Sequence, residues 1–407
     1  MQNGDLIVMQ GWYHEVVIIP DPANQSQYYV FSIGVTASSK QGLWYSVVDN
    51  SANGGLGAVI QKNVQLQSFK MVDCLTAVKH GNGRDWWIIF RHHDTPFTPN
   101  NEFYFYLVTP TGLYYSQQLI GSTQRTNIGA FAFTNDGNRF AYINPNGLLE
   151  LYDFDRCSGV ISNSVTVYPE SNLPPYETYW GVEFSPSSDL LYVTKFPLTS
   201  SDTARLYQFD LTAANIAASA DTLAETPFVE TIDKLKIGPD GKIYVATSYY
   251  QVYPYADSMY NYINMNLGTI NNPDSLGPAC DFQPYSFYLG GARTYGSLPN
   301  NPDYHLGPKI GSGCDTLTTV NEQSQHAVIS ALHPNPNDGE FSINYFLPNG
   351  SKGNAQVIDI TGRIVYERSL PRYTYSQQFG LSHLAAGAYL LKISSGNKTA
   401  GRKFIKQ

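Results

Sequence analysis

The stretch RHHDT at 91–95 sets His92, His93 and Asp94 side by side, residue types that ligate metals. Adjacent residues on a strand point to opposite faces, so His92 and His93 do not easily hold one ion, and no metal site is expected. Glu150, Asp153, Asp155 and Asp210 are carboxylates of the kind that act in pairs on glycosidic bonds. They stand at strand ends, where acidic residues cap sheet edges, and the separation that a catalytic pair needs is not readable from sequence. Trp86, Trp87, Trp180 and many of the 31 tyrosines suit either stacking on a sugar face or packing between sheets. The four cysteines, Cys74, Cys157, Cys280 and Cys314, form no CxxC pair, which disfavours zinc and thioredoxin-like chemistry. Their even number suits disulfides in an oxidising compartment; buried free thiols are the alternative. A GxSxG elbow, a P-loop and a dinucleotide fingerprint are all missing. The sequence therefore offers no catalytic residue, no metal ligand set and no cofactor site.

Whatever chemistry these residues do must be positioned by strands. The chain has 407 residues, of which 42% are apolar, enough for a large β-domain plus a small one. Only 14% are charged, against roughly 25% in ordinary soluble proteins. An excess of Tyr, Gly, Asn, Ser and Thr over Lys and Glu favours strands and turns. A net charge of −8, without any basic run, argues against nucleic acid as a partner. The longest apolar stretches, VVII at 16–19 and WWIIF at 86–90, are of strand length, too short to span a membrane. The opening MQNGDLIVMQGW has neither the basic start nor the apolar core of a signal peptide.

A unit of turn, strand, turn and strand recurs. It is visible in FTNDGNRFAYINPNGLLELYDFD (133–155), FSPSSDLLYVTKFPLTSSDTARLYQFDL (184–211) and IGPDGKIYVATSYYQVYPY (237–255), and again at 78–113 and, more loosely, at 20–49. Turn tips fall near residues 25, 82, 136, 188 and 240. That period of roughly fifty is close to one four-stranded propeller blade. Asn-Gly and Asp-Gly pairs supply the positive φ angles of tight hairpins. LYDFD and LYQFD are expected to close the third strand of two blades at the same phase. A sandwich with irregular hairpins is the competing architecture. The stretch 256–316 leaves the repeat and is expected to hold a long loop and the closing strands.

The SPSSDLLYV and GPDGKIYVA segments resemble propeller families with SPDGK-type repeats. LTAVKHGNGRDWWII (75–89), DFDRCSG (153–159), GPACDFQPYSFYLGG (277–291) and LPNNPDYHLGP (298–308) resemble signatures of large propeller proteins secreted by Bacteroidota. That resemblance implies the architecture of 1–316 and a further N-terminal segment with a signal peptide, so the chain is expected to be N-terminally truncated. It implies no agreed activity, and the box of sialidase-like propellers does not occur.

After a polar linker at 317–329, residues 330–407 read as a small β-sandwich. PNPNDGEFSI (334–343), VIDITGRIV (357–365), LSHLAAGAYLLKI (381–393) and the basic pair Arg402 and Lys403 follow in order. They resemble the type A C-terminal sorting domain of the type IX secretion system. The residues carrying the likeness are Pro334, Asn335, Pro336, Gly339, Asp359, Gly362, Arg363, Leu384, Gly387 and Tyr389. The resemblance implies the secretion machinery and a sortase-like peptidase as partners, with export, tail removal and surface attachment or release. A terminal adhesion module is the alternative. The fold expected is all-β, a propeller followed by a sandwich. The function expected is non-catalytic binding of a glycan or protein, with a propeller glycoside hydrolase or lyase as the alternative.

Overall fold

Every one of the five turn tips joins the first and second strands of a four-stranded sheet. The computed structural model describes all residues except 9–13, 35–39, 94–99, 170–177, 250–259, 316–326 and 349. Sheet one contains β1 (Val16–Pro20), β2 (Gln27–Gly34), β3 (Gly42–Asp49) and β4 (Ala58–Gln67). Sheet two contains β5 (Thr76–Lys79), β6 (Trp86–Arg91), β7 (Asn100–Thr109) and β8 (Gly112–Gln124). Sheet three contains β9 (Ala130–Phe133), β10 (Arg139–Ile143), β11 (Leu149–Asp155) and β12 (Val160–Tyr168). Sheet four contains β13 (Tyr179–Phe184), β14 (Leu190–Lys195), β15 (Thr203–Asp210) and β16 (Asp221–Pro227). Sheet five contains β17 (Glu230–Ile237), β18 (Ile243–Tyr249), β19 (Asn266–Ile270) and β20 (Phe282–Tyr288). In each, strand order follows chain order. LYDFD and LYQFD lie in β11 and β15, both third strands.

Burial falls toward the fourth strands. All six residues of β6 and of β14 are buried, because apolar faces meet a neighbouring sheet on both sides. The fourth strands β8, β16 and β20 are largely open. Sheets two and three share a core in which Trp87, Phe103, Phe105, Phe140 and Phe154 interleave. Sheets one and two share a second core, and sheets three and four a third.

The innermost strands meet in sequence around one centre. The Leu75 N–H donates to the His14 carbonyl at 3.0 Å, and the Asp73 N–H to the Asn127 carbonyl at 2.8 Å. Thr194 Oγ1 donates to the Asp233 carbonyl at 2.7 Å, joining sheets four and five. Lys234 Nζ lies 3.4 Å from His14 Nδ1, bringing sheet five back to sheet one. Among the described residues, five four-stranded sheets around one centre make this part a β-propeller, as the repeat predicts.

The chain divides into two compact units, Met1–Lys236 with Ile243–Asp315, and Ile237–Lys242 with Thr316–Gln407. Most of the stretch expected as a linker, 317–329, lies outside the described residues. In the second unit, β21 (Val328–His333), β22 (Glu340–Phe346) and β25 (Ser376–Gly380) form one sheet. The other is formed by β24 (Ile364–Leu370), β23 (Gly353–Ile358), β26 (Gly387–Ser395) and β27 (Lys398–Lys406). Phe341, Ile343 and Tyr345 alternate inward from β22 onto Val357, Leu391, Ile393 and Phe404, while Asn344 between them is exposed. The result is a small β-sandwich.

Candidate functional site

The innermost strands and the residues just before them carry a charged centre that the sequence alone does not reveal. His14, Glu15, Asp73, Glu183, Asp233 and Lys234 are all buried there. The His14 N–H donates to Asp73 Oδ1 at 2.8 Å, and His14 Nδ1 lies 3.3 Å from Asn300 Oδ1. Lys236 reaches Glu183 at 3.9 Å. Burial pulls His14 well below its usual range, and the Lys234 charge adds to this. Burial likewise pulls Lys234 down to about 7, with Lys236 helping and Glu183 and Asp73 opposing. Asp233 accepts from Thr231 Oγ1 and Ser248 Oγ, both at 2.7 Å, yet burial pushes its carboxyl up to about 7. Such values suit proton transfer, but closed ion networks produce them too. His14, Glu15 and Asp73 precede the first strands of sheets one and two, Glu183 is the penultimate residue of β13, and Asp233 and Lys234 lie mid-strand in β17, so no single position in the repeat would have found them.

The residues the sequence singles out are dispersed. His92 pairs with Glu102 at 3.0 Å and meets the Phe69 ring at 4.7 Å. The His93 N–H donates to the Lys70 carbonyl, and Asp94 lies outside the described residues. Among the described residues no three His, Cys, Asp or Glu side chains gather as a metal site. Glu150 is buried and takes bonds from Ser122 and Thr166. Asp153 pairs with Arg139. Ser158 and Lys309 hold Asp155 down at about 2, and Thr212 lowers Asp210. These four carboxylates fasten turns and strand ends. Trp86 and Trp87 are buried between sheets, so the packing role holds for them and the sugar-stacking role does not. Trp180 packs on Phe196 at 5.1 Å.

An open aromatic surface lies instead at the end of sheet five where β17 begins. Tyr260, Tyr262, Tyr288 and Tyr295 are 51%, 65%, 60% and 47% exposed, unlike the tryptophans. The Arg293 guanidinium lies 4.6 Å from the ring centres of both Tyr260 and Tyr295. Tyr262 meets Tyr285 at 4.9 Å, and Tyr285 donates to Glu230 at 2.9 Å. Flat rings with a cation and a carboxylate at their edge are suited to a sugar ring, whose C–H face stacks and whose hydroxyls hydrogen-bond.

In the second unit the sequence-singled residues build turns. At the Pro334, Asn335 and Pro336 turn, Asn335 Oδ1 accepts from the Ile405 N–H at 3.0 Å, tying it to the last strand. Gly339 has φ +107°, and a Cβ there would come within 2.7 Å of Ser382 backbone. Asp359 accepts from the Thr361 N–H at 2.9 Å and pairs with Arg363 at 3.3 Å, while Gly362 takes φ +87°. Leu384 packs against the core, and Gly387 opens β26. Tyr389 stacks on Phe404 at 5.5 Å.

Residues 331–407 match the family described as the Secretion system C-terminal sorting domain. Among curated proteins, none matches the chain in sequence. Several solved structures are similar. One is a quinonprotein alcohol dehydrogenase-like protein of Bacteroides thetaiotaomicron, 12% identical, covering 63% of this chain and 51% of that chain at a TM-score of 0.36. A candidate 6-phosphogluconolactonase of Bacteroides fragilis is 12% identical over 62% of this chain and 78% of that chain, with a TM-score of 0.35. A puromycin hydrolase is 11% identical over 96% of this chain and 51% of that chain, with a TM-score of 0.38. The chain thus spans about half the length of the first and third, and at these scores none of the three bears on activity. With its two sheets, its fastened turns and its family match, the segment 331–407 is a C-terminal sorting domain of the type IX secretion system.

Proposed function

We propose that the propeller is a non-catalytic cargo that binds glycan outside the cell, delivered there by its sorting domain. The tail implies export and a surface or secreted location. Beyond that, the proposal includes a sortase-like peptidase that removes the tail, and a Bacteroidota host. The observation that carries the binding role is the open aromatic surface around Arg293 on sheet five. A polysaccharide hydrolase or lyase is the second reading, favoured by the Asp233 carboxyl that burial holds near 7. Against it, Asp233, Glu183 and Asp73 are buried, and a substrate needs reach to its acid.

The test is a glycan array with the full chain, followed by titration of the best ligand. Tyr262→Ala and Tyr288→Ala should each weaken binding about tenfold, the scale of one lost stacking contact. Asp233→Asn should leave affinity unchanged. Unchanged affinity in both tyrosine variants would reject this surface. Depolymerisation of the ligand, abolished by Asp233→Asn, would establish the enzyme instead.

A further inference from the structure

The segment after β20 returns across the propeller as a strap. The Thr294 N–H donates to the Asn264 carbonyl at 2.8 Å, still on sheet five. Gly296 then passes so close to the charged centre that a Cβ there would lie 2.6 Å from Asp233 Oδ2. Asn300 Nδ2 donates to the Leu75 carbonyl at 2.7 Å, and Tyr304 OH to the Ile18 carbonyl at 2.8 Å, reaching sheets two and one. Leu306 enters the core shared by sheets two and three. Arg156 donates to the Gly307 carbonyl at 2.9 Å, and Lys309 pairs with Asp155 at 3.0 Å. At the end of the strap, Cys314 forms a disulfide with Cys157 in the β11–β12 turn, 157 residues away in sequence.

The seat of that disulfide is built. Gly81, at the β5–β6 tip, lies against it so closely that a Cβ would meet Cys314 Sγ at 2.4 Å and Cys157 Sγ at 2.8 Å. The Gly81 carbonyl accepts from the Lys309 N–H at 2.8 Å, and its N–H donates to the Arg156 carbonyl at 3.0 Å. His80 Nε2 lies 2.9 Å from the Cys157 carbonyl. Three separate pieces of chain, from sheet two, sheet three and the strap, therefore converge on one covalent bond. Cys74 and Cys280 are buried, free and not part of it.

We infer that the Cys157–Cys314 disulfide is a latch that holds the strap on the propeller when the chain is severed beyond Asp315. Its closure removes two electrons and two protons from the two thiols. A thiol–disulfide oxidoreductase of an oxidising compartment accepts them, its own disulfide becoming a dithiol. Strap and latch add a covalent cross-link to blades that otherwise meet through side-chain packing and hydrogen bonds. The disulfide also restricts the unfolded chain over a long loop, where such a constraint has most effect. The biological setting, tail removal after export, rests on the proposed function; the latch itself does not.

The experiment inserts a specific protease sequence between Thr318 and Thr319 of the full chain and cuts the purified, oxidised protein. Melting temperature and hydrogen exchange over 296–309 are then read before and after cutting. The oxidised protein should keep both. The cut Cys157→Ser/Cys314→Ser chain should melt roughly 5 °C or more lower, and exchange over 296–309 should rise at least about tenfold. Should that variant not fold, the cut wild-type protein is reduced under native conditions, with alkylation of two thiols confirming opening, and the same two changes are expected. A cut, latch-free chain with unaltered melting and exchange would overturn the inference. Failure of the export proposal would leave all these results unchanged.

Discussion

Asp233 and Lys234 are neighbours on β17 whose side chains leave opposite faces of the strand, and burial acts on both. Their effects on stability have opposite signs. With its carboxyl raised to about 7, folded Asp233 keeps a proton that the unfolded chain has already released near its ordinary 3.8. Stability from this group therefore falls as pH rises from about 4 to about 7, by up to about 4 kcal/mol. Lys234, lowered to about 7, gives up a proton that the unfolded chain holds up to 10.5, so stability rises between those values. Together they place a minimum of stability near neutrality. His14, also lowered, adds a rising contribution below 6.5 that Asp233→Asn leaves in place and Lys234→Met weakens, because the Lys234 charge helps to lower it. Asp233→Asn should flatten the falling limb, and Lys234→Met the rising one. Melting temperatures from pH 4 to 10 check this, and curves parallel to wild type would remove both assignments.

Sheets two and three cohere through aromatic side chains. Phe140 on β10 touches Phe103 on β7 at 5.9 Å, Phe131 and Phe133 on β9 at 5.6 and 5.3 Å, and Tyr152 on β11 at 4.8 Å. It is fully buried, so Phe140→Ala should destabilise by about 3–5 kcal/mol in denaturant unfolding. Tyr114→Ala on the open strand β8 should stay within about 0.5 kcal/mol. A similar loss at both positions would mean that this inter-sheet core is not what holds the blades. Such strands were legible in the sequence because their signals are local. Asn-Gly and Asp-Gly tips fix hairpins within a few residues, and the alternation of Phe341, Ile343 and Tyr345 fixes the inner face of β22 without knowledge of its partner. The charged centre was not legible, because His14, Asp73, Glu183 and Asp233 are single residues in four repeats that meet only when the strands converge. The Cys157–Cys314 pairing was hidden for the same reason. Trp86 and Trp87 stayed open between two roles for another reason: an aromatic residue reads alike for stacking on sugar and for packing in a core until its exposure is known.

At the scale of the whole molecule, one polypeptide joins a propeller with no assigned chemistry to a module with a known address. The sorting domain has its own core, and its sequence-singled residues fasten turns at Asp359 and Asn335. Among the described residues no helix is long and apolar enough to cross a membrane. The role of the sorting domain is separable by experiment. The chain is expressed behind a periplasmic export signal in a host with a working type IX system, with and without residues 331–407. The full chain should be found at the cell surface or in the medium, shortened at its C-terminal end by mass spectrometry. The truncated chain should remain in the periplasm. Equal melting temperatures of the purified propeller portions, and equal glycan affinity, would show that the deletion removed an address and not a fold. Disrupting the turn alone, by Asp359→Ala with Gly362→Val, should lower export while leaving the propeller's binding intact, because a β-branched side chain resists the positive φ that this turn requires. If both chains leave the cell equally, the sorting domain is only a terminal structural module here, and the location must be set by another part of the protein.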